Sequence, residues 1–237
     1  MGAHASGRGR RRASTTGNRA RGPRRVAGFT LIETALATVI IGVGVVAMVE
    51  SQQAFIRSNL WSSHAAAGLL LANEVRARMA NLPKHDPVSG LTLSEGSGGS
   101  PELHGWGPES NETELWQFDD IDDFDGITFH WAGTEGHGDG DLPGPINAFG
   151  EVVQGIAPDG SVEEIPARGW AQTVRVEKIG AFDTGTTLRP GDRELPSGSR
   201  PGRAVDEYPL RVTVEVTYED PATAQTELVA RLVWVVP

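Results

Sequence analysis

Cysteine is absent from all 237 residues. That excludes a disulfide scaffold, a thiolate metal site and a cysteine nucleophile. No G-x-S-x-G, phosphate-loop or H-E-x-x-H pattern occurs, so the common hydrolase, nucleotide and zinc-protease chemistries have no foothold. Acidic residues are missing from positions 1–28, which hold eight arginines. Charge is missing from Thr34 to Val49, and proline is missing from positions 50–82.

These gaps divide the chain. With the first 28 residues set aside, 13 basic residues face 31 acidic ones, a net charge of −18. A surface of that sign repels nucleic acid and anionic lipid, so no nucleic-acid partner is expected. The arginine-rich leader sits directly before an apolar run, and the positive-inside rule then keeps it in the cytoplasm. From Phe29 to Val49 the run would span about 30 Å as a helix, the thickness of a bilayer core. It does not end in small residues, as a cleavable secretory signal would. A single-pass anchor with its C-terminus outside the cytoplasm follows, with Gly42 and Gly44 tolerable inside it.

Glu33 stands alone near the start of that run. A carboxylate in hydrocarbon costs about 2.5–3.5 kcal/mol on insertion scales, so it either stays wet at the interface or finds a partner. Cleavage after Gly28 would make one, the new α-amino group of Phe29 on this chain or on a packed neighbour.

The stretch Gly28-Phe29-Thr30-Leu31-Ile32-Glu33, behind a basic leader and before an apolar run, resembles the cleavage and methylation signal of type IV pilins and type II secretion pseudopilins. The resemblance covers residues 20–60. It implies that a prepilin peptidase cuts after Gly28 and methylates Phe29, and that Glu33 registers the subunit in a helical filament. It also implies a bacterial inner-membrane protein with a periplasmic head, whose partners are lipid, other pilin or pseudopilin subunits and an assembly platform in that membrane.

Beyond the anchor, residues 50–82 continue as a helix with an imperfect stripe of Phe55, Leu60, Leu70, Leu71, Val75, Met79 and Leu82. Pro83 ends it. The expected fold class is α+β: a long N-terminal helix packed on an antiparallel β-sheet head, as in pilins. Its divisions are a cleaved leader (1–28), an assembly helix (29–50), its amphipathic continuation (51–82) and a β-rich head with long loops (83–237). Strands are expected around 126–133, 169–179, 208–220 and 225–237, the third with Val212, Val214 and Val216 on one face. Residues 94–112 and 184–207 read as loops. Trp131, Trp170 and Trp234 read as core, and Trp106 as a candidate exposed contact.

Candidate chemistry in the head centres on "FDDIDDFDG", with Asp119, Asp120, Asp122, Asp123 and Asp125. Clustered carboxylates suit Ca²⁺. An EF-hand alignment fails, since with Gly126 as its central glycine the loop would begin at Ile121 and end at Ala132. The same run also reads as a plain solvated loop. His130, His137, Asp139 and Asp141 match no compact transition-metal spacing.

The sequence thus points to a non-enzymatic minor pseudopilin of a type II secretion pseudopilus. A minor type IV pilin is the near alternative. An uncleaved, signal-anchored binding protein is the alternative of another class.

Overall fold

The computed structural model describes residues 28–96, 99–134, 141–156 and 161–237, with 162–165 described by backbone alone. The chain divides into two compact units, residues 1–54 and 55–237. One helix, α1 (Leu31–Met79), contributes to both.

In the first unit every described residue is exposed, Phe29, Leu31 and Ile32 among them. The helical hydrogen bonds satisfy the backbone. The two threonines inside the apolar run turn back on the helix, Thr34 Oγ1 donating to Leu31 O at 2.9 Å and Thr38 Oγ1 to Thr34 O at 2.8 Å. No hydroxyl there needs water, and the apolar side chains lie uncovered all round. The segment is long and apolar enough to cross a membrane, a candidate span or signal anchor.

In the second unit the later part of α1 buries Gly68, Leu71, Ala72, Val75 and Met79. Among the described residues nine strands follow: β1 (Thr92–Glu95), β2 (Pro101–His104), β3 (Thr128–His130), β4 (Leu142–Pro143), β5 (Gln154–Ile156), β6 (Val162–Pro166), β7 (Trp170–Lys178), β8 (Leu210–Glu219) and β9 (Thr226–Val236). Five form the main sheet in the order β4-β3-β7-β8-β9. Strict alternation in β8 sends Leu210, Val212, Val214 and Val216 into the core at zero exposure, while Arg211, Thr213, Glu215 and Thr217 face outward. β9 carries a bulge opposite Val216 and Thr217. There the Val229 and Ala230 side chains close on Gly68, whose added Cβ would lie 2.9 Å from Val229 Cγ1. Glycine at that position lets helix and strand approach.

Most of these elements match the sequence reading, with corrections. The stripe on α1 is narrower than expected: Leu71, Val75 and Met79 are buried, but Phe55, Leu60 and Leu70 are exposed. Spacing alone could not tell which of two adjacent leucines meets the sheet. The sheet is mixed rather than antiparallel, because β4 runs parallel to β3. Part of the expected loop 94–112 is the hairpin β1–β2. Trp106 packs against the core, Trp170 and Trp234 line its margin, and Trp131 is half-exposed beneath Arg168. Residues 184–207 carry isolated bridges only, including Glu194 with Arg203 and Ser197 with Arg200. Buried Lys178 pins that segment, its Nζ donating to Pro190 O at 2.9 Å and to Asp192 O at 2.5 Å.

Gln172, fully buried on β7, ties three parts together. Its Nε2 donates to Leu71 O of α1 at 2.9 Å and to Ile146 O at 3.1 Å, and its Oε1 accepts the Ile146 N–H at 2.7 Å. Replacing it with methionine, similar in volume, would strand the buried Ile146 amide. We expect Gln172→Met to lower stability by about 2–4 kcal/mol, read as an earlier urea midpoint in tryptophan fluorescence of the full chain in detergent.

Candidate functional site

Two groups of residues carry candidate function. The first is the junction at the start of α1. Thr30 and Glu33 form a capping box there. Thr30 Oγ1 accepts the Glu33 N–H at 3.3 Å, and Glu33 Oε2 accepts both the Thr30 N–H and its hydroxyl at 3.3 Å. The Glu33 N–H also reaches Thr30 O at 3.0 Å. Glu33 therefore has a local use: it neutralises orphan donors and the positive end of the helix dipole. The signal was legible as T-x-x-E within "TLIE", although the sequence reading weighed Glu33 only as a wet interfacial carboxylate or an assembly residue, not as a cap. Gly28 and Phe29 precede the helix and are exposed. In the uncut chain the Phe29 nitrogen is an amide, so pairing of Glu33 with a terminal amine belongs to the processed form alone. Of the expected leader (1–28), residues 1–27 lie outside the described residues.

The second group is the acidic run. Phe118, Ile121 and Phe124, three residues apart, enter the core, with the Phe118 and Phe124 rings edge to face at 5.4 Å. The Ile121 N–H bonds Pro83 O at 2.9 Å, just past the end of α1. A 3-10 turn at Asp122–Phe124 completes the segment. Anchoring by these apolar side chains draws the intervening acids beneath the surface: Asp120, Asp122 and Asp123 have no exposure. The solvated-loop reading is therefore corrected. The alternation of acids with Phe and Ile was visible in the sequence, but whether the apolar residues win is decided by distant partners.

The five aspartates do not act together. Asp122 faces buried His85, with Nδ1 and Oδ2 2.5 Å apart, and its Oδ1 accepts the Gly107 N–H at 3.2 Å. Burial pushes Asp122 up to about 7 and His85 down to about 4, so between those values the pair keeps its proton on the carboxyl. Asp125 accepts from Trp106 Nε1 at 3.2 Å and from the Val176 N–H at 2.9 Å, which locks the run to β7. Both are structural.

Asp119, Asp120 and Asp123 do converge, each offering a carboxylate oxygen within 4.8 Å of the others. Glu109, Glu112 and Asp123 converge in the same way, and the two glutamates escaped the sequence reading because the intervening segment hides their proximity. Asp120 and Asp123 hold each other in place. Asp120 Oδ1 accepts the Asp123 N–H at 3.1 Å, and Asp123 Oδ2 accepts the N–H groups of Asp119 and Asp120 at 3.0 and 3.1 Å. Their remaining oxygens, Asp120 Oδ2 and Asp123 Oδ1, are buried without a hydrogen-bond partner. Asp120 also lies against the Asp122 carboxyl. Burial lifts Asp120 and Glu109 to about 8 and Asp123 to about 7.

Of the metal quartet weighed on sequence, only His130 and Asp141 lie among the described residues. His130 Nδ1 accepts the Ala132 N–H at 3.2 Å, and neither His130 nor Asp141 joins a convergent group among the described residues. His137 and Asp139 lie outside the described residues. Comparison with protein-family models, characterised proteins and solved structures returns no match.

The carboxyl shifts have a definite sign. Four acids hold protons in the folded state up to about pH 7 or 8 that they release near 4 when unfolded, so stability falls as pH rises through that window. His85 acts oppositely below its ordinary value of 6.5, one group against four. With divalent cations chelated, the urea midpoint should be higher near pH 5 than near pH 8. A midpoint that rises over this range would contradict the buried placement of the acids.

Proposed function

We propose that this chain is a non-enzymatic subunit of an extracytoplasmic filament, a minor pseudopilin of a type II secretion pseudopilus. A prepilin peptidase matures it, and it assembles through its N-terminal helix. One observation carries the reading: the junction Gly28-Phe29-Thr30-Leu31-Ile32-Glu33 joins a leader of eight arginines to a helix whose first part is apolar and exposed on every side. Such a surface needs lipid or neighbouring helices to cover it. In this reading lipid covers it before assembly and other subunits cover it afterwards. The inner-membrane assembly platform drives the exchange. The long α1 and the sheet of the second unit support the reading by giving an α+β head after the anchor.

Expression with and without a prepilin peptidase tests the reading directly. The intact mass should fall by residues 1–28 and gain one methyl group only when the peptidase is present. A leader retained in both cases would overturn it.

The capping box favours a second reading, an uncleaved signal anchor bearing a binding head, because it gives Glu33 a purpose without any filament. Glutamine also serves at the third position of a capping box but carries no charge. Under the filament reading, Glu33→Gln and Glu33→Ala should both insert normally and both fail to enter filaments. A Gln variant that assembles like the parent would leave helix capping as the whole role of Glu33.

A further inference from the structure

We propose that the groove around Arg203 binds the free C-terminal carboxylate of a partner polypeptide whose last side chain is apolar. The site lies between β7 and β8 and stands apart from the filament reading. Two aromatic rings hold the Arg203 guanidinium. Its central carbon lies 5.2 Å from the centre of the Phe182 ring and 5.3 Å from that of Tyr208. The backbone beneath it is fixed as well, because Arg203 and Glu194 exchange both N–H···O bonds, at 3.0 and 3.1 Å. Gly202 lets those two segments close, since an added Cβ would lie 2.6 Å from Glu194 O.

Aromatic rings take a guanidinium by its faces and leave the N–H groups at its edge free. Arg203 takes part in none of the three ion pairs among the described residues, and its guanidinium makes no hydrogen bond there. Two acids lining the groove are tied into turns of their own. Asp183 accepts the Gly185 N–H at 3.1 Å and the Thr186 hydroxyl at 2.6 Å, and Asp192 accepts the Arg189 N–H at 2.9 Å. Phe182 is 97% exposed. A ring so far from any core contributes little packing, and its contact is with the guanidinium.

The surroundings select the ligand. An open groove of about 450 Å³ runs past Arg203, with Arg193 beside it and Ala181, Phe182 and Leu188 as apolar walls. Two guanidinium groups call for an anion, and the planar fork of arginine fits the two oxygens of one carboxylate. Asp183, Asp192 and Glu194 line the same groove. A doubly charged phosphate therefore meets more repulsion there than a singly charged carboxylate does. The apolar walls favour a carboxylate with an apolar group close by. A chain terminus carries both on one carbon, whereas an acidic side chain holds its carboxylate away from any apolar neighbour.

The probe is N-acetylleucine, titrated against the full chain in detergent and read by saturation-transfer NMR with empty micelles as the blank. A Kd on the order of 1 mM is expected for so small a ligand. N-acetylleucine amide, which lacks the charge, should show no transfer. Inorganic phosphate should compete about tenfold more weakly, and N-acetylglutamic acid α-amide about threefold more weakly. Arg203→Gln should weaken N-acetylleucine by about tenfold or more, and Arg203→Lys nearly as much, because a point charge lacks the fork. Glu194 is exposed, so Glu194→Gln should keep the melting temperature and tighten binding about threefold by removing repulsion. If Arg203→Gln fails to fold, Phe182→Leu decides, with an expected loss of about threefold. The proposal is overturned by no transfer at about 10 mM probe. It is also overturned by equal transfer from the amide, by phosphate or the glutamate probe binding as tightly, or by binding that survives Arg203→Gln or Phe182→Leu.

Discussion

Everything in the second unit depends on how closely the later turns of α1 sit against β7, β8 and β9. Leu71, Val75 and Met79 supply the apolar ridge, and the valines of β8 supply the surface that receives it. Dispersion and desolvation reward that contact only at close range. Gly68 permits the approach toward β9 by having no side chain. Gln172 makes it specific, because its carboxamide is satisfied only when α1, β7 and the segment at Ile146 are all in place. A polar group buried this completely discriminates against sliding of the helix, since any other register would leave it unpaired.

The acidic segment is a by-product of the same packing. Phe118, Ile121 and Phe124 complete the core that α1 and the sheet begin, and the carboxylates between them go where the chain must go. Each buried acid then meets a different fate. Asp122 bonds the His85 ring, Asp125 becomes a fastener for Trp106 and β7, and Asp120 and Asp123 cap each other's backbone. One short, repetitive stretch thus performs three jobs, separated by burial and partner rather than by residue type.

How much was legible in the sequence depended on the range of the interaction. The alternation of Val212, Val214 and Val216, the end of the helix before Pro83 and the membrane-length run are local patterns, and local physics settles them. The choice of Leu71 over Leu70 for the core depends on which face of α1 meets the sheet, which no neighbouring residue encodes. The hairpin β1–β2 was hidden by its Gly- and Ser-rich turn, because composition there signals a loop whether or not strands flank it. The convergence of Glu109 and Glu112 with Asp123 spans a dozen residues of turns, so only the folded chain reveals it. The Thr30–Glu33 cap was visible as a pattern, yet one local motif supported two physical roles and could not rank them.

Lys178 carries a further consequence, one for proteases. Its ammonium holds the backbone at Pro190 and Asp192, and the bridges at Glu194–Arg203 and Ser197–Arg200 draw the rest into a small exposed finger. The tip of that finger, exposed beyond the Ser197–Arg200 bridge, is open to a protease. A single cut there would leave one fragment ending after β7 and another beginning before β8. The long antiparallel ladder between those strands would keep the halves together. The head would go on behaving as one particle in a native separation and fall into two only under denaturant.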